Sequence, residues 1–183
     1  MFQSVLKEHI AIITALKNLE NEISNIGLKM VECLQHDGKI LLMGNGGSAA
    51  DAQHIAAEIV VRYQKNRRAL PAIALTTDTS ILTATGNDFS FKQIFSRQIE
   101  ALAEQKDIII GISTSGESEN VILAFQVAKE KGANTILLTG KKGGTLAKIS
   151  DHTIKVPSNV TARIQEAHIL IGHFLCEYIE SKF

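Results

Sequence analysis

The feature that most constrains the fold begins at Lys39. From there on, short and nearly continuous apolar runs alternate with stretches of helical periodicity. The runs are Lys39–Met43, Ala72–Leu75, Asp107–Ile112, Thr135–Thr139 and His152–Val156. A strand that is apolar at consecutive positions is buried on both faces, the situation of a parallel sheet covered by helices. Between the runs lie helical patterns over Ala49–Arg62, Phe91–Ala103, Val121–Lys131 and Thr145–Ile149, and Ala162–Ser181 closes the chain. The alternation predicts an α/β fold: a three-layer, doubly wound, five-stranded parallel sheet with right-handed crossovers.

The first 36 residues lie outside this repeat. Phe2, Val5, Leu6, Ile10, Ile13, Leu16 and Leu19 recur at helical steps, and Ile23, Ile26, Met30, Cys33 and Leu34 continue the stripe. An apolar stripe needs a surface to cover it. Either another subunit or the chain's own sheet would serve. At 183 residues the chain is expected to form one domain, with a helical arm over 1–36 and an α/β core over 37–183.

Lys+Arg and Asp+Glu are 19 each, so the net charge is zero and no polybasic surface for nucleic acid or membrane is expected. No apolar run reaches the ~18 residues of a membrane span. Met1 leads into mixed polar sequence rather than a signal peptide. Cys33 and Cys176 are far apart and form no C-x-x-C. A cytoplasmic protein in a reducing compartment is the expectation.

In open α/β sheets ligands bind beyond the carboxyl ends of the strands. After the first run comes Gly44–Asp51, three glycines and Ser48 leading into a helix, where free N–H groups favour an anion. The stretch fits a loose dinucleotide pattern. However, the acidic ribose partner expected ~20 residues on is missing, which argues against that use. After the third run comes Ser113–Ser118, with four hydroxyls and a glycine at a helix start. Such a turn suits a phosphate monoester, although it also suits a plain Ser-rich cap. It is neither a P-loop nor a hydrolase elbow. Thr76–Ser80 and Gly86–Asp88 read as polar loops at the same sheet edge, able to hydrogen-bond a polyol.

His54 and Glu58 stand four apart and share a helix face. Metal ligands, an acid and base at one carbon, or an exposed ion pair would all fit that spacing. The final helix carries Gln165, His168 and His173 in an apolar background, where polar groups are costly unless satisfied. Gln165 and His173 are about 12 Å apart along a straight helix, awkward for one small site within one chain, and His168 is a rival.

The ordered set Gly44–Glu58, Leu75–Asp78, Thr85–Asp88, Gly111–Gly116 and Arg163–His168 closely resembles the phosphoheptose isomerases of the sugar isomerase (SIS) domain family, over almost the whole chain. The resemblance implies a flavodoxin-like SIS fold and a homotetramer with active sites between subunits. The implied reaction interconverts sedoheptulose 7-phosphate and D-glycero-D-manno-heptose 7-phosphate, at the start of nucleotide-activated heptose synthesis for lipopolysaccharide or related glycans. By motif position it implies one Zn2+ per subunit on His54, Glu58, Gln165 and His173, with Glu58 and His173 as the acid–base pair. It implies a phosphate held by Ser113, Ser115 and Ser118 with Ser48 and Thr114 nearby, Asp88 and Gln165 toward the sugar end, and Asn45, Gly46, Gly47 and Glu58 as further substrate-binding residues. Some relatives carry an Asp where Ala162 stands here, so that carboxylate has no counterpart. A non-catalytic adaptor of the DnaA initiator resembles the same enzymes and is the alternative.

Overall fold

The computed structural model describes residues 1–183. Five strands, β1 (Ile40–Gly44), β2 (Ala72–Ala74), β3 (Ile108–Ser113), β4 (Asn134–Thr139) and β5 (His152–Lys155), form one sheet in the order β2-β1-β3-β4-β5. Every pairing is parallel. All five apolar runs are strands, and the sheet is the doubly wound one that their pattern predicts. Its order reverses between β1 and β3, so the loops after these two strands flank one crevice.

Alternate residues of each strand feed two cores. Ile40, Leu42, Ile108, Ile110, Ile136 and Leu138 face a layer made by α2 (Glu20–Gln35), α3 (Gly47–Val60) and α8 (Thr161–Glu180). Leu41, Met43, Ile109 and Leu137 face α5 (Ser96–Leu102), α6 (Glu119–Glu130) and α7 (Leu146–Ile149). Each such side chain stabilises the fold by roughly 1.5–3 kcal/mol on burial. Helices therefore cover both faces of the sheet and leave its carboxyl edge for a ligand.

Three stretches differ from the periodicity. The arm is not one helix: α1 (Phe2–Ala15) is separated from α2 by a 3-10 turn at Leu16–Leu19. While α2 buries Ile23, Ile26, Met30 and Leu34, α1 buries nothing and leaves Phe2, Leu6 and Ile10 exposed. The second difference is α4 (Thr79–Asp88), which replaces the expected polar loops. Asp78 caps it by accepting the Ile81 N–H at 2.9 Å, which starts a helix in a stretch of poor helix formers. The Phe91–Ala103 stretch is likewise divided, into a 3-10 turn at Phe91–Gln93 and α5. No helix is long and apolar enough to cross a membrane.

Contact between α3 and α8 is close. A Cβ on Gly172 would stand 2.6 Å from Ile55 Cδ1, so any larger residue would force the Ile55 side chain to shift. The next residue, His173, is thereby brought to the face of α3 that carries His54.

Candidate active site

The site has two ends. One is the turn between β3 and α6. Ser113 is buried at the end of β3, and its hydroxyl lies 2.8 Å from that of Ser118. The Gly116 N–H donates to Ser113 Oγ, and the Glu117 N–H donates to Ser115 Oγ. The turn is tied to the loop after β4 by Leu146 N–H to the Gly116 carbonyl and by Thr145 N–H to the Glu117 carboxylate. Thr114 and Ser115 open onto a cavity of about 320 Å³ that Lys141, Lys142, Ser158 and Thr161 also line. Hydroxyl donors, two lysines and a helix start favour a phosphate monoester. Sequence reasoning missed the lysines, because they follow β4 and share no motif with the serines.

The other end lies where α3 meets α8. His173 Nε2 is 3.1 Å from His54 Nε2, and His54 Nε2 is 3.5 Å from Glu58 Oε1. The His54 side chain is 48% exposed and that of Glu58 27%, so water reaches both. Tyr63 was not anticipated; its ring packs 5.7 Å from that of His173, centroid to centroid. Asp51, one turn before His54, has a buried Oδ2 without a partner. Burial raises its pKa, and the His54 charge offsets part of that rise. The thiol of Cys176 is buried, and burial with the nearby Glu58 charge pushes it up to about 12, which rules it out as a thiolate nucleophile near neutrality.

The four-residue zinc set expected from the resemblance is overturned. No group of three or more His, Cys, Asp or Glu side chains is arranged to hold a metal ion. The physical reason lies in the geometry. The Nε2 atoms of His54 and His173 share one hydrogen bond, so one of the two carries a proton and offers no lone pair to a metal. Gln165 belongs to a different stretch of the helix seam. Its amide lies against Gly47, where a Cβ would be 2.6 Å from Nε2, while His173 lies beside His54. Since α3 and α8 run side by side in the same sense, these contacts are about 12 Å apart by helix rise.

Other candidates divide as follows. Gly46 and Gly47 are exposed at the start of α3, and Ser48 is buried there. Asn45 and Asn120 exchange side-chain hydrogen bonds at 2.9 and 2.8 Å, which joins the glycine loop to the start of α6. Asp88 lies exposed at the end of α4 and accepts from Asn87; no hydrogen bond or ion pair joins it to either end of the site. His168, the rival on α8, is fully buried with neither ring nitrogen bonded.

The profile of the SIS domain family matches residues 6–140. Phosphoheptose isomerase 1 of Campylobacter jejuni is 55% identical over 177 residues, 97% of this chain and 95% of that protein. The phosphoheptose isomerase of Aquifex aeolicus is 57% identical over 159 residues, 87% of this chain and 83% of that one. Among solved structures, the phosphoheptose isomerase of Francisella tularensis superposes with a TM-score of 0.95 at 38% identity, over 98% of this chain and 96% of that one. The phosphoheptose isomerase of Neisseria gonorrhoeae gives 0.88 at 45% identity, over 99% and 100%.

Proposed function

The chain belongs to the phosphoheptose isomerases of the SIS domain family, and we infer that it interconverts sedoheptulose 7-phosphate and D-glycero-D-manno-heptose 7-phosphate, the entry to nucleotide-activated heptose. The observation that carries the chemistry is the meeting of His173 with His54 and Glu58 across the α3–α8 seam.

The reaction moves a proton between C1 and C2 and another between the two oxygens. The difficult step is ionising a carbon acid near neutrality, which needs a positioned base and a proton donor for the enediolate oxygen. Glu58 takes the proton from C1 of the ketose and returns it to C2. His173 gives a proton to O2 and takes the one released from O1, so the step conserves protons. His54, bonded to His173, orients that imidazole. The phosphate sits at Ser113, Thr114, Ser115 and Ser118, with Ser48 at the facing helix start. Gly46, Gly47 and Gln165 line the path between the ends. Binding the phosphate far from the reacting carbons supplies orientation.

The chain works as a homotetramer with its active sites between subunits. The exposed apolar residues of α1 and the exposure of His54 and Glu58 favour this, because proton abstraction from carbon needs water excluded. The test is purified protein with sedoheptulose 7-phosphate in D2O, followed by NMR. The aldose should appear with deuterium at C2. A substrate that stays unchanged sinks the assignment.

A further inference from the structure

A buried carboxylate at the end of α8 is unused by the acid–base scheme. Glu180 is 5% exposed. Its Oε1 accepts the Tyr63 N–H at 2.9 Å, and its Oε2 accepts the N–H groups of Gln64 and Lys65, each at 2.8 Å. Arg67 lies beside it, with Nε 3.6 Å from Oε1, an ion pair with both side chains only 3% exposed. Arg67 also donates to the Glu58 carbonyl at 2.9 Å. The loop leaving α3 is thus clamped at both ends, to α8 by Glu180 and to α3 by Arg67. Gln64–Arg68, basic in composition, is partly an internal clamp. Three amide donors on one buried carboxylate form a rigid arrangement, since charged hydrogen bonds exceed neutral ones in strength. The first residue in the clamp is Tyr63, whose ring packs against His173.

We propose that Glu180 is a positioning residue for the isomerisation, holding the Tyr63 loop so that the Tyr63 ring fixes the His173 imidazole toward His54 and the substrate. Glu180 touches no reacting atom and acts through Tyr63. The inference rests on the assignment of His173 as an acid–base group.

Replacing Glu180 by Gln turns an amide N–H2 toward backbone donors and leaves Arg67 without its carboxylate. In E180Q, kcat should fall about 10- to 100-fold, the cost of a small misplacement of a catalytic group. KM should stay within about twofold, because the hydroxyl turn is untouched. Y63A should show the same split, and Y63F, which keeps the ring, should restore most of the lost kcat. In the Y63A background, adding E180Q should cost less than about twofold further, since both act on one contact. A folded E180Q with wild-type kcat, or the full loss repeated in the Y63A background, overturns the proposal. If E180Q does not fold, the Tyr63 pair decides: wild-type kcat in Y63A overturns it, and loss in Y63A with recovery in Y63F supports it. H173Q separates the two levels. An active H173Q removes the acid–base assignment itself and the proposal with it. An inactive H173Q beside an unimpaired E180Q removes the positioning role alone.

Discussion

The hydroxyl end and the ionisable end of the site are built by different means. Within the Ser113–Ser118 turn, the bonds to the serine hydroxyls span at most five residues, and the turn follows directly from a strand meeting a helix. At the ionisable end the bonded residues are far apart in the chain: His54 with His173, and Tyr63 with Glu180. The hydroxyl turn exists once β3 and α6 are formed, and the loop after β4 then closes onto it and adds Lys141 and Lys142. The ionisable end exists only after α8 has packed onto α3. The hydroxyls that hold the substrate are therefore placed largely by local structure, and the proton-transfer groups by tertiary packing.

The largest expected effect separates the two ends. Glu58→Gln keeps the size of the side chain and removes the base. It should lower kcat by about 10²- to 10⁴-fold, the range that general acid–base catalysis contributes. Sugar-phosphate binding should survive, read as an undiminished thermal shift with sedoheptulose 7-phosphate. A variant that turns over normally would remove Glu58 from the chemistry. One that is inactive and no longer binds would mean that the two ends are not separable.

The same division sets what was legible in the sequence. The strands, α3, α6 and α8 follow from apolar periodicity, and the hydroxyl turn follows from its composition. Helix α4 did not, because Thr79–Asp88 is rich in Thr, Ser, Gly and Asn, and only Thr85 is buried. Its signal was Asp78, an N-cap in a segment that reads as loop. The partnership of Arg67 with Glu180 joins residues more than a hundred positions apart, and no local pattern marks it. The zinc set came from motif position alone. Spacing places Gln165 and His173 on one helix, but not at one point of the seam with α3.

A second effect concerns which histidine of α8 serves the site. His168 sits in the core, and burial lowers its pKa from 6.5 to about 4. The folded state therefore holds it neutral, while the unfolded chain protonates it near 6.5. Its contribution is fully present above pH 6.5 and is lost as pH falls toward 4, for a total of about 3 kcal/mol. Urea denaturation at pH 7.5 and 4.5 should show this loss in the wild type and a smaller one in His168→Leu. Equal losses in both would place His168 in water rather than in the core, and would reopen the choice between it and His173.

A third and smaller effect belongs to the hydroxyl end. Ser115→Ala removes one donor to a charged phosphate, worth about 1.5–3 kcal/mol. This should raise KM by about 10- to 100-fold with little change in kcat, the reverse of the Glu58 pattern. A fall in kcat at constant KM would show that the turn takes part in the chemistry, and would dissolve the division between the ends.

The smallest effect tests what ties the two ends together. Asn45, expected among the substrate-binding residues, exchanges two side-chain bonds with Asn120, which is only 3% exposed. As a clasp between the glycine loop and α6, the pair should behave symmetrically. Asn45→Ala and Asn120→Ala should each lower stability by a similar amount, and the double variant should lose about 1 kcal/mol less than their sum. As a substrate ligand, Asn45 would instead lower kcat/KM far more than Asn120 does, with additive losses in stability. The clasp outcome would mean that the local end and the assembled end share one rigid link, so that the spacing between phosphate and reacting carbons is set by two amides rather than by the substrate.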